Sequence, residues 1–256
     1  MIAVCIKWIG GSDTSGMSAA DEAALEMALR HAETTRTSLI AVTVGGPSAD
    51  QCLRLALACG ATTAIRVDAP EGIDSSSVAA ALGPVVAHSA AVWCGDYSGD
   101  RGTGSVPAFL AALLNRQQAL GLISVDFVDP LRVTRRLDGG RREVLRVAGQ
   151  AVLSVEGSVA RLRRAPLRAT LSAQKAEVLA YGTTSMPTGN TSGIAVRTYR
   201  PRARVLPAPT GATPLDRLRV LTDASAAARP GETVEASPAD AAKRIIEVLT
   251  GWGYIP

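Results

Sequence analysis

The amino-acid sequence predicts an α/β fold with a mostly parallel sheet and helices on both faces. Through the first half of the chain, short apolar runs alternate with segments of helical periodicity, a pattern that is typical of parallel strands joined by crossover helices. Hydrophobic residues make up 47% of the 256 residues and charged residues 20%. This composition supplies enough apolar side chains for a packed core and excludes an intrinsically disordered chain.

The elements of the first half are predicted from local patterns. Four apolar side chains of the first helix lie on one helical face, with acidic residues in its early turns, and Pro47 and Gly60 mark the start and end of the second. The predicted strands are residues 2–8, 39–44, 64–67 and 90–94. The predicted helices are residues 18–30, residues 48–59, an alanine-rich stretch that ends near residue 87, and residues 106–115.

The second half of the sequence predicts an antiparallel hairpin that extends the sheet, followed by a C-terminal arm outside the compact domain. Residues 131–136 and 142–147 flank Asp138-Gly139-Gly140, which is a strong hairpin signal, and residues 151–155 read as one more strand. After Ala180 the chain becomes rich in Thr, Ser, Gly and Pro. We therefore expect a compact domain over residues 1–180 and an arm over residues 181–256 that ends in a helix, residues 239–250, and lies on the core or on a partner.

Charge, cysteine usage and hydropathy limit the class of protein. The net charge is +4 and aromatic residues are only 4%, so a nucleic-acid module that stacks bases on aromatic side chains is not expected. The four cysteines show no Cys-x-x-Cys spacing and lie in apolar runs, as buried thiols of a reducing compartment do. No apolar run approaches the ~18 residues that span a bilayer. We expect a cytoplasmic protein without membrane insertion.

The most informative local feature is the segment from Gly95 to Ser105, here called the glycine loop. It contains four glycines and joins a predicted strand to a predicted helix, an arrangement in which backbone N–H groups can bind a phosphate. An ordinary flexible turn is the alternative. Pro107 stands where a dinucleotide fingerprint needs its third glycine, and the chain has no Gly-Lys pair of a P-loop. The loop is therefore expected to hold a nucleotide rather than to cleave it.

Other chemistry has little support in the sequence. His31 and His88 each stand apart from cysteines and from paired carboxylates, so no metal site is expected. No Gly-x-Ser-x-Gly elbow or activated cysteine is present, so no catalytic residue is expected. Arginines crowd residues 132–168; they form either a solvated hairpin edge or a basic face for an acidic protein or, less favoured, a nucleic acid.

Four further segments carry a resemblance to a known family. They are Val4-Cys5-Ile6-Lys7, the helix start at residues 18–26, Val42-Thr43-Val44-Gly45-Gly46-Pro47, and the run Leu53-Arg54 to Gly60-Ala61. Together with the glycine loop they resemble the beta subunit of electron transfer flavoproteins. The resemblance implies a Rossmann-like fold of the adenine nucleotide alpha-hydrolase type. The loop aligns without gaps to the segment with which that family binds the phosphate of AMP, or of a second FAD.

The resemblance also assigns residues. Those implied to bind the nucleotide are Cys5, Ser18, Ala19, Ala20, Asp21, Val44, Gly45, Gly95, Ser98, Gly99, Asp100, Arg101, Gly102, Thr103, Gly104, Ser105 and Val106. Those similar to the family's recognition loop, which docks a partner dehydrogenase, are Pro166, Arg168, Thr170, Leu171 and Lys175. The family's arm packs on an alpha subunit that holds most of the FAD, which implies the same partner for residues 181–256.

The implied function is electron transfer from a flavin or redox-cofactor dehydrogenase, through FAD, to a quinone-linked acceptor. This chain would have no catalytic residues of its own. Ser18-Ala19 in place of Asn-Pro and a short segment after Gly10 indicate a divergent branch, such as one tied to mycofactocin-associated dehydrogenases. Two other hypotheses remain open at this point: a stand-alone adenine-nucleotide sensor of the universal-stress-protein type, and a nucleotide-cleaving alpha-hydrolase.

Overall fold

The computed structural model describes residues 1–10, 16–70, 72–182, 209, 211–222 and 235–251. The chain divides into two compact units, Met1–Ile194 and Ala195–Pro256. The first unit contains the sheet. The described part of the second unit contains two helices, α6 (Pro214–Thr222) and α7 (Pro238–Gly251).

The described residues of the first unit form one nine-stranded sheet in the order β7-β6-β5-β8-β4-β1-β2-β3-β9. Its strands are β1 (Ile2–Cys5), β2 (Leu39–Val44), β3 (Thr63–Asp68), β4 (Ala91–Gly95), β5 (Gln117–Asp126), β6 (Leu131–Arg136), β7 (Arg142–Val147), β8 (Ala151–Val155) and β9 (Leu179–Gly182). Only the β5–β6 and β6–β7 pairs are antiparallel; the other pairs are parallel. The predicted mostly parallel sheet with an added hairpin is confirmed.

Helices cover both faces of the sheet, as predicted. The helices of this unit are α1 (Ala19–Thr35), α2 (Asp50–Cys59), α3 (Ser75–Val86), α4 (Val106–Leu113) and α5 (Leu167–Lys175). One apolar cluster packs α1 and α2 on one face, with Trp93 of β4 fully buried within it. The other packs α3 and α4 against the opposite face, around Val42, Leu82 and Leu110. The alternation of β-strand side chains between faces makes two cores possible in one domain.

Trp93 has a polar contact inside its apolar cluster. Its indole N–H donates to Nδ1 of His31 at 3.2 Å, and Phe127 packs against both rings. Burial lowers the pKa of His31. His31 is therefore a neutral acceptor that satisfies a buried tryptophan, which explains a histidine that stands alone in the sequence.

The structure differs from the sequence-based expectations in a few elements. Helix α1 continues to Thr35, five residues beyond the prediction. Strand β5 was not predicted, because Gly121 (φ +66°) and a register shift between Ala119 and Leu122 interrupt its alternation. Helix α5 was not predicted because Ala173 is its one buried residue among those described. The antiparallel strands β6 and β7 agree with the prediction residue for residue.

The sheet extends past the predicted end of the compact domain. The predicted boundary at residue 180 falls inside β9, which pairs with β3 and carries the sheet to Gly182. The Thr-, Ser-, Gly- and Pro-rich stretch from residue 183 onward lies outside the described residues. The final helix is present as α7, one residue longer at each end than expected. Within the described ranges, no helix is long and apolar enough to cross a bilayer.

Candidate functional site

A cleft opens at the carboxyl ends of β1, β2 and β4, where ligands of open α/β sheets bind. The glycine loop, the start of α3 and the start of α4 form its walls, and it holds about 770 Å³ of empty space including its open mouth. The residues that line it are Cys5, Ile6, Lys7, Asp21, Val42, Thr43, Val44, Ile73, Ser75, Val78, Leu82, Cys94, Gly95, Tyr97, Ser98, Arg101, Thr103, Gly104, Ser105, Val106 and Pro107.

Gly104 determines the shape of the glycine loop. Its φ is +54°, which L side chains rarely adopt, and a Cβ added there would lie 2.0 Å from the carbonyl oxygen of Asp96. No residue with a side chain fits this position without moving the backbone. Gly102, at φ +65°, passes under the ring of Tyr97, which a Cβ would approach to 3.3 Å. The loop is therefore a specific backbone conformation rather than a generic turn.

The first turn of α4 points unsatisfied donors at the cleft. No side chain in the described residues caps this helix at Ser105, and Pro107 carries no N–H. The N–H groups of Val106 and Ala108 have no intrahelical partner at a helix start, and the helix dipole favours negative charge there. The arrangement suits a phosphate group.

Two basic side chains hold the glycine loop over the cleft. The Lys7 ammonium pairs with Asp100 at 2.5 Å. The Arg101 guanidinium donates to the carbonyl oxygens of Gly72 and Ile73, each at 2.7 Å. Burial opposes the ionisation of Asp100, but the hydrogen bond from Lys7 prevails and lowers the pKa of this carboxyl. The loop is thus joined to the end of β1 on one side and to the segment before α3 on the other.

Asp21 is a carboxyl group at the floor of the cleft. It is 6% exposed, and the Ser18 hydroxyl donates to it at 3.0 Å while accepting from its backbone N–H at 3.1 Å. Burial raises the pKa of Asp21 to about 7, against the hydrogen bonds from Ser18 and from the Lys7 backbone, which lower it. Gly95 permits this close packing, because a Cβ there would lie 3.0 Å from the Asp21 backbone nitrogen.

Two thiols complete the floor. Cys5 of β1 and Cys94 of β4 are directly paired in the sheet register, and both are buried. The contact with the Cys5 thiol and burial together raise the pKa of Cys94 well above its ordinary value. A protonated thiol is a poor nucleophile, so Cys94 serves here as a small apolar side chain. In the part of the chain that the structure describes, no three of His, Cys, Asp and Glu gather as metal ligands.

The structure brings together most of the residues that the sequence assigned to the nucleotide. Ten of them line the cleft: Cys5, Asp21, Val44, Gly95, Ser98, Arg101, Thr103, Gly104, Ser105 and Val106. The other seven shape it from behind. Ser18 is the N-cap of α1, Ala19 and Ala20 pack against Gly157 and Gly95, Gly45 donates its N–H to Val67, and Gly99, Asp100 and Gly102 belong to the glycine loop.

Some cleft residues were missed by the sequence analysis. Lys7 and Tyr97 stand inside quoted motifs but were not assigned, although both follow a strand end. Val78 and Leu82 of α3 form an apolar wall of the cleft, and Ser75 lies at the start of the same helix. Nothing in the local sequence distinguishes that face of α3 from its core face, because the distinction depends on the strand order.

The residues assigned to partner docking lie together on α5 and its N-cap. The segment is a helix with Pro166 at the N-cap, and the Thr170 hydroxyl donates to the Pro166 carbonyl at 3.2 Å. Arg168 and Lys175 are exposed, and Leu171 is 55% exposed. Leu167, which was not assigned, is 75% exposed. The segment presents apolar and basic side chains side by side.

Arg54 of α2 fixes the position of α5, and the sequence analysis gave it no role. Its guanidinium donates to the carbonyl oxygens of Ala173, Gln174 and Ala176 at 3.0, 2.7 and 3.2 Å. These carbonyls at the C-terminal end of α5 lack helical partners. One side chain therefore caps the helix and attaches it to the strand–helix unit that borders the cleft.

Comparison with known proteins identifies the family of this chain. The family model described as the electron transfer flavoprotein domain matches residues 10–183. The chain is 31% identical over 166 residues to an electron transfer flavoprotein subunit beta of Dictyostelium discoideum, covering 63% of this chain and 66% of that one. It is 32% identical over 157 residues to a subunit beta of Methylophilus methylotrophus, covering 58% and 60%.

A third relative, described as a probable electron transfer flavoprotein subunit beta, comes from Saccharomyces cerevisiae; it is 31% identical over 163 residues, which cover 59% of this chain and 62% of that one. The matches thus span 60 to 66% of the relatives' own lengths. The chain belongs to the electron transfer flavoprotein family, on the beta subunit side, and the resemblance seen in the sequence is confirmed.

Proposed function

We propose that this chain is the beta subunit of a heterodimeric electron transfer flavoprotein. It binds AMP, or a second FAD, in the cleft, and it pairs with an alpha subunit that holds most of the electron-carrying FAD. The observation that carries the proposal is the family match over residues 10–183, a range that contains the whole glycine loop and α5.

The cleft residues fit an adenine nucleotide. A phosphate next to Gly104 would meet backbone rather than side chain, and the uncapped start of α4 supplies N–H donors. Arg101 adds positive charge to the cleft lining, while Val78 and Leu82 offer an apolar surface. This distribution of polar and apolar groups is typical of small-molecule sites.

The docking role is assigned to α5 and its N-cap. Electrons would arrive from a flavin or redox-cofactor dehydrogenase bound there and leave for a quinone-linked acceptor. FAD supplies the redox chemistry when bound, and this chain holds the nucleotide, docks the donor and contributes no catalytic residue. The exposed Leu167 and Leu171 support the assignment, since exposed apolar side chains mark interaction surfaces and arginine is enriched in protein interfaces.

Residues 181–256 are proposed to pack on the alpha subunit. Helix α7 leaves Ile245 and Ile246 exposed at 59% and 56%, and a partner surface would cover them. The same proposal places the protein in the cytoplasm, where its four free thiols stay reduced.

The test is co-expression with an alpha-type subunit, followed by an absorption spectrum and mass spectrometry of the ligands released on denaturation. A yellow heterodimer that releases FAD and AMP supports the proposal with a conventional carrier. Two FAD per heterodimer support it with FAD in the cleft. A colourless monomer that releases only ATP or ADP contradicts it and favours the nucleotide sensor, and hydrolysis of added nucleotide favours the alpha-hydrolase.

A further inference from the structure

One face of the β6–β7 hairpin carries two directly opposed pairs of arginines, which do not stabilise the sheet. Alternate residues of β6, Arg132, Thr134 and Arg136, lie opposite alternate residues of β7, which are Arg146, Val144 and Arg142 in the same order. These six residues, here called the arginine face, are on the side away from the buried Val133 and Val147. Side chains alternate between the faces of a strand, so the six share one surface.

The register brings like charges together. Arg132 lies directly opposite Arg146, and Arg136 lies directly opposite Arg142. Side chains of directly opposed residues have Cβ atoms about 5 Å apart, and like charges at that distance destabilise a hairpin. The turn residues and the alternation of buried and exposed side chains are enough to specify this strand register. The two arginine pairs therefore destabilise the hairpin. Protection of an edge strand against aggregation does not explain them, because single charges of either sign would serve as well.

Among the described residues, acidic side chains pair with two of the four arginines on this face. Arg132 pairs with Asp126 at 2.8 Å, and Arg136 pairs with Glu156 at 3.2 Å. Arg142 and Arg146 are exposed, and no acidic side chain among the described residues pairs with either of them. The uncompensated arginines both lie on β7, which is the outermost strand of the sheet.

An apolar side chain lies at the centre of the arginine face. Val144 is 61% exposed, with Arg142 and Arg146 two residues away on either side along β7. An apolar centre surrounded by arginines is a common composition of protein interfaces. Among the described strands β7 is an edge of the sheet, and an edge strand can pair with an added strand.

We propose that the arginine face docks an acidic segment of a partner protein, whose carboxylates pair with Arg142 and Arg146 while an apolar side chain covers Val144. A nucleic acid fits less well. Asp126 and Glu156 border the face and repel phosphates, and none of its six residues is aromatic. The site is separate from the cleft and from α5, and it does not depend on the proposed function.

The test uses the full chain, a fluorescently labelled poly-L-glutamate of about 20 residues as the probe, and fluorescence anisotropy at about 0.15 M salt, near the physiological value. The test variant is R142E/R146E. The control is R161E/R164E, which changes the net charge equally at two exposed arginines outside the hairpin. The test variant is expected to weaken binding at least about tenfold, which corresponds to about 1.4 kcal/mol, and the control less than about twofold.

A thermal melt of the same variants gives a second readout. In R142E/R146E each new glutamate faces an arginine across the hairpin, so the melting temperature is expected to rise by about 2 °C or more while binding is lost. Equal weakening in both variants overturns the proposal, as does a lower melting temperature of the test variant. Binding of a DNA duplex of about 20 base pairs that depends on Arg142 and Arg146 more strongly than the peptide also overturns it.

Discussion

The cleft and the arginine face use basic side chains in opposite ways. At the cleft, Lys7 is neutralised by Asp100, and Arg101 gives its donors to two backbone carbonyls. On the arginine face, Arg142 and Arg146 point outward opposite other arginines. Charges that are satisfied inside the chain set the conformation of a loop, whereas charges that are left unsatisfied are available to another molecule. The same residue type therefore indicates rigidity in one region and recognition in the other.

The largest expected effect tests whether the glycine loop is rigid. Gly104→Ala places a Cβ 2.0 Å from the Asp96 carbonyl at a positive φ, so the loop must rearrange, and bound nucleotide is expected to be lost. The control is Gly139→Ala in the hairpin turn, where φ is +70° but no described atom lies within 4 Å of the added Cβ.

Both substitutions carry the strain of a left-handed residue, about 1 kcal/mol, and only the first adds a clash. Mass spectrometry of released ligands and a denaturation curve measure the difference. Full nucleotide occupancy in Gly104→Ala, or equal destabilisation by the two variants, would mean that the loop adapts freely.

The next effect concerns the pH dependence of stability. The pKa of Asp21 is about 7 in the folded protein against 3.8 for an ordinary aspartate. Between these two pH values the Asp21 carboxyl is protonated in the folded state and ionised in the unfolded state. The buried, protonated carboxyl therefore contributes fully to the free energy of unfolding below pH ~4, and this contribution is lost as the pH rises to 7. Over about three pH units this corresponds to roughly 4 kcal/mol.

Asp21→Asn cannot ionise, so its free energy of unfolding is expected to fall less steeply between pH 5 and 8 and to exceed that of the wild type above pH 7. Urea denaturation at each pH gives both quantities. Parallel curves for the two proteins would show that Asp21 does not titrate in this range.

A smaller effect on nucleotide affinity is expected from the Arg101 hydrogen bonds, which hold the glycine loop, than from the Gly104 clash. Arg101→Ala removes the donors to Gly72 and Ile73. Nucleotide affinity is expected to fall at least about tenfold, since hydrogen bonds to a charged group contribute roughly 1.5–3 kcal/mol. Arg141→Ala is the matched control, because Arg141 also donates to a backbone carbonyl, that of Asp138 at 3.3 Å, but in the hairpin. Calorimetric titration with AMP is the measurement, and similar affinities of the two variants would contradict the role of Arg101.

The smallest effect concerns α5. Leu171→Ala is expected to leave the fold and the bound nucleotide intact and to slow reduction by the partner dehydrogenase several-fold, about 1 kcal/mol, as truncation of an exposed anchor does. Leu113→Ala on α4 removes an equally exposed leucine, 55% in both cases. Stopped-flow reduction of the heterodimer by the dehydrogenase compares them. Equal rates for the two variants would remove Leu171 from the docking surface.

The elements that the sequence predicted well are those whose signal is local. The ends of β6, β7 and β8 agree with the prediction, because β6 and β7 alternate around a turn rich in glycine and β8 is apolar except for Ser154. Strand β5 was missed because its alternation breaks at Gly121. Strand β9 was missed because all four of its residues are exposed, so its hydrogen bonds to β3 leave no pattern of apolar residues.

The residues of the cleft likewise divide into those with a local sequence signal and those that only the tertiary fold brings together. The glycine loop is contiguous, so its place between a strand and a helix could be predicted from the sequence. The wall formed by Val78 and Leu82 requires knowledge that α3 borders the ends of β1 and β2. Arg101 was assigned to the nucleotide, and it does line the cleft, but its two hydrogen bonds to Gly72 and Ile73 could not be inferred from spacing. A side chain's acceptor is decided by the tertiary fold.

The buried contact between Trp93 and His31 gives the protein an intrinsic optical reporter. Trp93 is fully buried and directly precedes Cys94 of the cleft floor, and its indole N–H needs an unprotonated Nδ1 on His31 as acceptor. A proton on that nitrogen would face the indole hydrogen, so acid quenching of Trp93 fluorescence would follow the protonation of His31. Trp8 and Trp252 also emit, so with both replaced by phenylalanine the emission of Trp93 alone records when the layer between α1 and β4 begins to open.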